Sequence, residues 1–176
     1  LTKNNCYNTS TSQDDIDSDS WECLSALEGN EGSAGPVCEG YARAFKVLCD
    51  AAAIPCVLVD GEALGEAHMW NYVVLDGKGY FVDVTWDDPK GEGAVLTHNY
   101  FNVNTTDILR EHRSIIQSVP LCTDVEHNYF IRETLYLQVG SGEAFETAVS
   151  NAVHTAKYKN QNSVEFRFPN GAVLEQ

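Results

Sequence analysis

Apolar residues recur at three- and four-residue steps through residues 38–52, which is the pattern of one face of an α-helix. Cys38 and Tyr41 stand on this face, and the Gly-Pro pair at 35–36 suits the start of a helix. Pro55 predicts its end, because the residue before a proline avoids helical torsion angles. The pattern therefore predicts a helix whose first turn contains Cys38.

Short apolar runs follow this helix and predict a β-hairpin over residues 68–86. The turn is predicted at Asp76-Gly77, a pair typical of two-residue hairpin loops. Counting outward from the turn places Asp83 opposite Trp70, so Asp83 shares a face with His68 as well. His68 and Asp83 are then diagonal neighbours, roughly 7–8 Å apart at the backbone, a separation that their side chains can span.

A bulge at Gly79 would shift the hairpin register by one residue. The remaining apolar patterns along the chain are shorter. They predict helices over 20–28, 107–112 (capped by Thr105 or Thr106) and 142–156, and strands over 56–59 (closed by Asp60-Gly61), 100–103, 129–131 and 164–168. A helix followed by mostly antiparallel strands indicates an α+β fold. With no internal repeat and no linker, residues 1–176 are predicted to form one domain, and the start at Leu1 rather than Met indicates a piece excised from a longer protein.

The formal net charge of −15 argues against nucleic acid as a partner, because the chain repels a phosphate backbone. The same sign disfavours anionic membrane surfaces. No apolar run approaches the roughly 18 residues of a membrane span, so we expect no membrane insertion. We interpret the acidic residues, including the run at 14–19, as a solubilising surface. Nothing in the sequence indicates an oligomeric state.

The cysteines and histidines show no spacing typical of a metal site or of a disulfide framework. A C-x-x-C pair is absent, and a domain of this size needs no disulfides for stability. Three acids before Pro89 favour a turn over a calcium site. We expect no metal and no cofactor, and we interpret the remaining histidines as scattered in loops or on helix surfaces: His98, His112, His127 and His154.

Cys38 is a candidate nucleophile because a thiol attacks a carbonyl as the thiolate, which a helix N-terminus and an imidazolium both favour. His68 is the candidate base, since a carboxylate on one ring nitrogen keeps the other free to accept the thiol proton. Asp83 lies in an apolar run, where a buried carboxylate needs a partner. The alternatives are a buried structural cysteine, which fits Cys49 and Cys56, a solvent-facing His68 and a strand-end Asp83.

Three blocks resemble the signatures of bacterial transglutaminase-like domains: residues 37–45 (VCEGYARAF), 68–71 (HMWN) and 83–89 (DVTWDDP). With weaker landmarks downstream, the resemblance covers residues 36–131. It implies a papain-like α+β fold, in which a catalytic cysteine heads a core helix packed on an antiparallel sheet that carries histidine and aspartate.

The resemblance implies acyl transfer or hydrolysis at peptide or glutamine amides, with Cys38 as nucleophile, His68 as base and Asp83 orienting the histidine. The Cys38 N–H is expected to donate to the oxyanion, and the sequence identifies no second donor. Trp70 and Trp86 are expected to wall the substrate site, with core packing as their alternative role. The expected partner is a protein or peptide substrate at an extracellular or cell-surface location. We expect hydrolysis over amine transfer, and the rival hypothesis is a non-catalytic binding module that retains the fold.

Overall fold

The computed structural model describes residues 1–9, 18–29, 35–88, 96–114, 118–138, 140–161 and 163–169. The chain divides into two compact units, Leu1–Val125 and Glu126–Gln176. All the site residues expected from the sequence belong to the first unit. That 1–176 is a single domain stays a prediction.

The first unit contains a short helix, α1 (Cys23–Leu27), and a longer one, α2 (Cys38–Ala51). One-turn 3-10 helices occur at Thr2–Asn4 and Ser18–Trp21. The helix expected over 20–28 is thus shorter than its pattern suggested, and its first turn is 3-10. α2 begins at Cys38 itself, because the preceding Val37 has an extended backbone.

Five antiparallel strands form one sheet in the order β4-β3-β2-β1-β5, and the α+β prediction is confirmed. The strands are β1 (Cys56–Ala63), β2 (Glu66–Leu75), β3 (Lys78–Val82), β4 (Phe101–Val103) and β5 (His112–Ser114). Leu75 pairs with Lys78 and Val74 with Gly79, which confirms the hairpin register. Gly79 pairs without a bulge, and a Cβ there would lie 1.8 Å from the Tyr72 hydroxyl, so glycine leaves room for the Tyr72 ring.

The predicted end of β1 at Asp60-Gly61 is wrong. The strand continues through Gly61 to Ala63 and pairs there with both β2 and β5. A Cβ on Gly61 would lie 2.0 Å from the main-chain oxygen of Arg113 and 2.5 Å from the Trp70 ring. Glycine at this position therefore permits close approach within the sheet and does not mark a turn.

The predicted helix over 107–112 is also wrong in its bounds. The helix α3 (Thr105–Ile108) begins earlier, because Asn104, not a threonine, caps it by accepting the Asp107 N–H at 2.9 Å. His112 lies beyond the helix and starts β5, where it pairs with Ala63. This change of element moves His112 from a surface into the sheet.

The core of the first unit lies on both faces of the sheet. One cluster joins α2 to the sheet and contains Cys49, Cys56, Val73, Tyr80 and Val82. A second cluster contains Val59, Trp70, Tyr72, Phe81, Val103, Ile108 and Cys122. The middle of β2 is therefore buried on both sides, and it holds His68 close to well-packed neighbours.

The second unit contains α4 (Tyr129–Arg132) and α5 (Glu143–Tyr158), and α5 confirms the helix expected over 142–156. The strand expected over 129–131 is wrong, because the Asn128 side chain accepts the Phe130 N–H at 3.1 Å and starts a helical turn. The strand expected over 164–168 is wrong too: Arg167 forms only an isolated bridge with Tyr136. Among the described residues of the whole chain, no helix is long and apolar enough to cross a membrane.

Candidate active site

Cys38 and His68 are brought together by the packing of α2 on β2. Cys38 is partly exposed as the first residue of α2, where main-chain N–H groups lack helical partners. A hydrogen bond links its side chain to the His68 ring. The buried Asn71, three residues after His68, donates its side-chain amide to the main-chain oxygen of Ala42 at 3.0 Å. This bond ties the strand that carries His68 to the helix that begins at Cys38.

Asp83 lies directly after β3 and faces His68. The distance from His68 Nε2 to Asp83 Oδ2 is 2.7 Å, and the two side chains are 7% and 1% exposed. Because a carboxylate only accepts, the proton of this bond belongs to Nε2, which leaves Nδ1 as the ring nitrogen for Cys38. The main-chain N–H of Trp86 donates to the other oxygen, Oδ1, at 3.2 Å.

The pKa values of His68 and Asp83 move apart. Burial lowers the pKa of His68, but hydrogen bonds to Asp83 and Cys38 outweigh it and raise the pKa to about 9. Burial raises the pKa of Asp83, but hydrogen bonds from His112 and His68 bring it below its usual 3.8. Near neutral pH the two groups therefore form a buried imidazolium–carboxylate pair.

His112 is a second histidine on the same carboxylate, and its predicted place on a surface is wrong. Its Nε2 lies 2.8 Å from Asp83 Oδ2, and its side chain is 0% exposed. Its Nδ1 is buried with no hydrogen-bond partner in the described part of the chain. No local pattern marks this residue, because a three-residue strand is too short to show alternation.

His68, Asp83 and His112 are also a group that could hold a metal ion, since one ligand atom from each lies within 4.8 Å of the others. In the structure Asp83 Oδ2 accepts a hydrogen bond from Nε2 of each histidine. The two acids that precede Pro89 have other partners. Asp87 accepts the Tyr100 N–H at 2.9 Å, and Asp88 accepts the hydroxyl of Tyr41.

The two tryptophans expected at the site differ in exposure. Trp70 is 2% exposed and belongs to a core cluster, and its ring stacks on His68 with centroids 5.9 Å apart. Trp86 is partly exposed, and its ring is tilted against His68 at the same centroid distance of 5.9 Å. Of the two tryptophans, only Trp86 exposes part of its surface to solvent beside His68.

Tyr7 reaches the site from the N-terminal segment, for which the sequence predicted no functional residue. The segment is held near α2 because the Asn8 N–H donates to the main-chain oxygen of Pro36 at 3.2 Å. The Tyr7 ring is parallel to that of Tyr41, with centroids 6.5 Å apart, and its hydroxyl is hydrogen-bonded to the main chain of Cys38. Burial, followed by the nearby Cys38 and Asp83, raises the pKa of Tyr7 to about 12, so the phenol keeps its proton.

None of the six cysteines, all of which are described, forms a disulfide. Cys6 is exposed and Cys23 is partly exposed, like Cys38. Cys49 and Cys56 are buried as expected, and burial raises the pKa of Cys56 to about 12. Cys38 differs from the other two accessible thiols in its contact with a histidine.

Comparison with known proteins gives a local similarity. No protein-family model matches the chain. Over 72 residues the chain is 36% identical to kyphoscoliosis peptidase of Mus musculus and 35% identical to that of Homo sapiens. Each match covers 34% of this chain, and the chain spans only 10% of the length of these relatives. The similarity suggests a distant relation to a transglutaminase-like protein.

Proposed function

We propose that this chain is a cysteine-dependent acyl-transfer enzyme of the transglutaminase-like class, with a papain-like arrangement of its site. The observation that carries the proposal is the hydrogen-bonded line from Cys38 through His68 to Asp83. Its members come from the start of α2, from β2 and from the residue after β3. The local similarity to a named peptidase supports the same chemistry.

Each residue of this line has a role in the proposed reaction. The Cys38 thiolate attacks an amide carbonyl, and His68 donates its Nδ1 proton to the departing amine as the C–N bond breaks. The product is a thioester on Cys38. His68 then accepts a proton from the incoming water or amine, which attacks the thioester and releases the thiolate. Asp83 holds the ring so that Nδ1 faces the sulfur throughout.

The negative oxygen of the tetrahedral intermediate needs donors beside the nucleophile. The main-chain N–H of Cys38 has no acceptor within α2, so it can supply one. We assign the second to Tyr7, whose hydroxyl is hydrogen-bonded to this same main chain and keeps its proton near neutral pH. An oxygen that approaches the Cys38 N–H therefore comes within reach of the Tyr7 hydroxyl.

The proposed substrate is a peptide or glutamine amide in a protein or peptide partner. We assign the partly exposed Trp86, whose ring lies against His68, to the substrate side of the site, while Trp70 packs on the His68 ring from the core. Because the chain spans 10% of its relatives' length, the substrates of those whole proteins do not define its own. The extracellular or cell-surface location stays a prediction.

The choice between water and amine as acceptor depends on the loops that flank the site. The two loops are the polar segment before Gly35 and the stretch 90–97. Residues 30–34 and 90–95 of these loops lie outside the described residues. Their sequences are rich in glycine and acids and poor in apolar residues, which favours access of water and hence hydrolysis.

The test is an acyl donor, a glutamine-containing peptide, incubated with the protein with and without a lysine-like amine. We expect free acid as the main product in both samples. A dominant amine adduct would make the enzyme a cross-linker. If neither product forms over a panel of peptide and glutamine donors, the result favours the non-catalytic binding module.

A further inference from the structure

One oxygen of Asp83 accepts hydrogen bonds from two histidines, but the proposed reaction uses only one of them. His68 Nε2 lies 2.7 Å from Oδ2, and His112 Nε2 lies 2.8 Å from the same atom. Both distances are in the short range of charge-assisted bonds. His112 therefore binds the group that orients the catalytic histidine.

We propose that His112 is a positioning residue, which keeps the Asp83 carboxylate ionised and fixed toward His68. This inference rests on the proposed function. His112 is 0% exposed on β5, and its ring is surrounded by those of Trp86, Trp70 and Tyr100 at centroid distances of 4.5, 5.0 and 5.3 Å. A substrate cannot reach it there, so it acts through Asp83 alone.

The orphaned Nδ1 of His112 argues against a purely packing role. No described residue bonds to this buried nitrogen. An unsatisfied buried polar atom destabilises the folded protein, and a phenylalanine would fill an aromatic enclosure without that cost. The polar function that histidine retains at this position is its bond to Asp83.

The carboxylate needs this support because it is fully buried. Burial raises the pKa of Asp83. The hydrogen bond from His112 is the largest effect that lowers this pKa, and the bond from His68 comes next. Burial and, to a lesser degree, the charge of Asp83 raise the pKa of two nearby phenols, Tyr7 and Tyr100, so both stay neutral. The two imidazoles thus supply the side-chain donors that the described residues offer to Asp83.

The test compares His112→Phe with His112→Gln in the whole chain. Two readouts are followed against pH: the alkylation rate of Cys38, and the ring-nitrogen NMR shifts of His68, which sense the protonation of Asp83. In His112→Phe, both the acid-side fall of the rate and the low-pH inflection of the shifts should move to higher pH by on the order of one unit. His112→Gln should stay near the wild type, because its amide N–H can reach Asp83. Arg113→Gln, an exposed change on β5, is the control.

A His112→Phe profile that superimposes on the wild type would overturn the inference, as would a folded His112→Gln variant that behaves like His112→Phe. If the phenylalanine variant does not fold, His112→Asn replaces it, since its amide is too short to reach Asp83, and the same shift is expected. A failure of the proposed function would be distinguishable from a failure of this inference. Wild-type Cys38 would then show no preferential alkylation, whereas the low-pH inflection of the His68 NMR shifts would still report whether His112 holds Asp83.

Discussion

The hydroxyl of Tyr7 is hydrogen-bonded to the main chain of Cys38, so a residue near the chain start lies at the first turn of α2. The contact is supported by the parallel stack of Tyr7 on Tyr41. It places a neutral donor beside the main-chain N–H where the oxyanion of an acyl-transfer reaction would form.

Tyr7→Phe should therefore lower acyl turnover by on the order of 10²-fold, the loss expected for one oxyanion donor. Alkylation of Cys38 by iodoacetamide should change little, because that displacement forms no oxyanion. Steady-state turnover and alkylation rates, measured on the same preparation, separate the two effects. Equal turnover in the variant and the wild type would remove Tyr7 from the mechanism.

Asp83→Asn should leave the protein folded and reduce turnover by on the order of 10³ to 10⁴-fold, since the amide can hold His68 in the wrong tautomer. Asp87→Asn is a matched control on the same segment, because its amide oxygen can still accept from Tyr100. Asp83→Ala should also lower the free energy of unfolding, as two buried imidazoles lose their acceptor. A fully active Asp83→Ala variant would show that Asp83 does not orient His68.

The stability of the fold should depend on pH through His68. Its pKa is about 9 in the folded protein against a usual value of 6.5, so its contribution is complete below pH 6.5 and is lost as the pH rises through 9. The loss is on the order of 3 kcal/mol. Urea unfolding at several pH values, for the wild type and His68→Gln, should show a difference that shrinks over this interval. A difference that is constant from pH 6 to pH 10 would contradict the raised pKa.

The sequence predicted the parts of the site that periodicity and turn chemistry determine. The start of α2 follows from apolar spacing and a Gly-Pro pair, and the 76–77 turn determines the register that faces Asp83 toward His68. These are local signals, and each acts over a few residues. They predict the hairpin that contains His68 and Asp83, and the helix that begins at Cys38.

The sequence did not predict that Tyr7 and His112 lie at the candidate site, because tertiary contacts determine their positions. Tyr7 lies in a segment with little regular structure, and a main-chain bond from Asn8 to Pro36 carries it to the site. His112 belongs to an edge strand that pairs with β1 only because Gly61 leaves room for it. Gly61 and Gly79 both permit close packing, whereas sequence rules predict turns or bulges at such residues.

Cys38 should be alkylated faster than the other cysteines below about pH 7, because a helix N-terminus and the His68 imidazolium both favour a thiolate at this position. Cys23 is the internal comparison, since it is also partly exposed and also begins a helix. Brief labelling followed by peptide mapping gives the relative rates. Equal labelling of Cys38, Cys23 and the exposed Cys6, or preference for a buried cysteine, would contradict the assignment of the nucleophile.

The most direct test of the proposed enzyme is to trap its acyl intermediate. The wild type, Cys38→Ser and Cys23→Ser are mixed with an activated acyl donor that deacylates slowly, quenched in acid and analysed by intact mass and peptide mapping. The proposal predicts one added acyl group on the peptide that contains Cys38, present in the wild type and in Cys23→Ser and absent in Cys38→Ser. An acyl group that persists in Cys38→Ser, or a wild-type protein that carries none on Cys38, would contradict it.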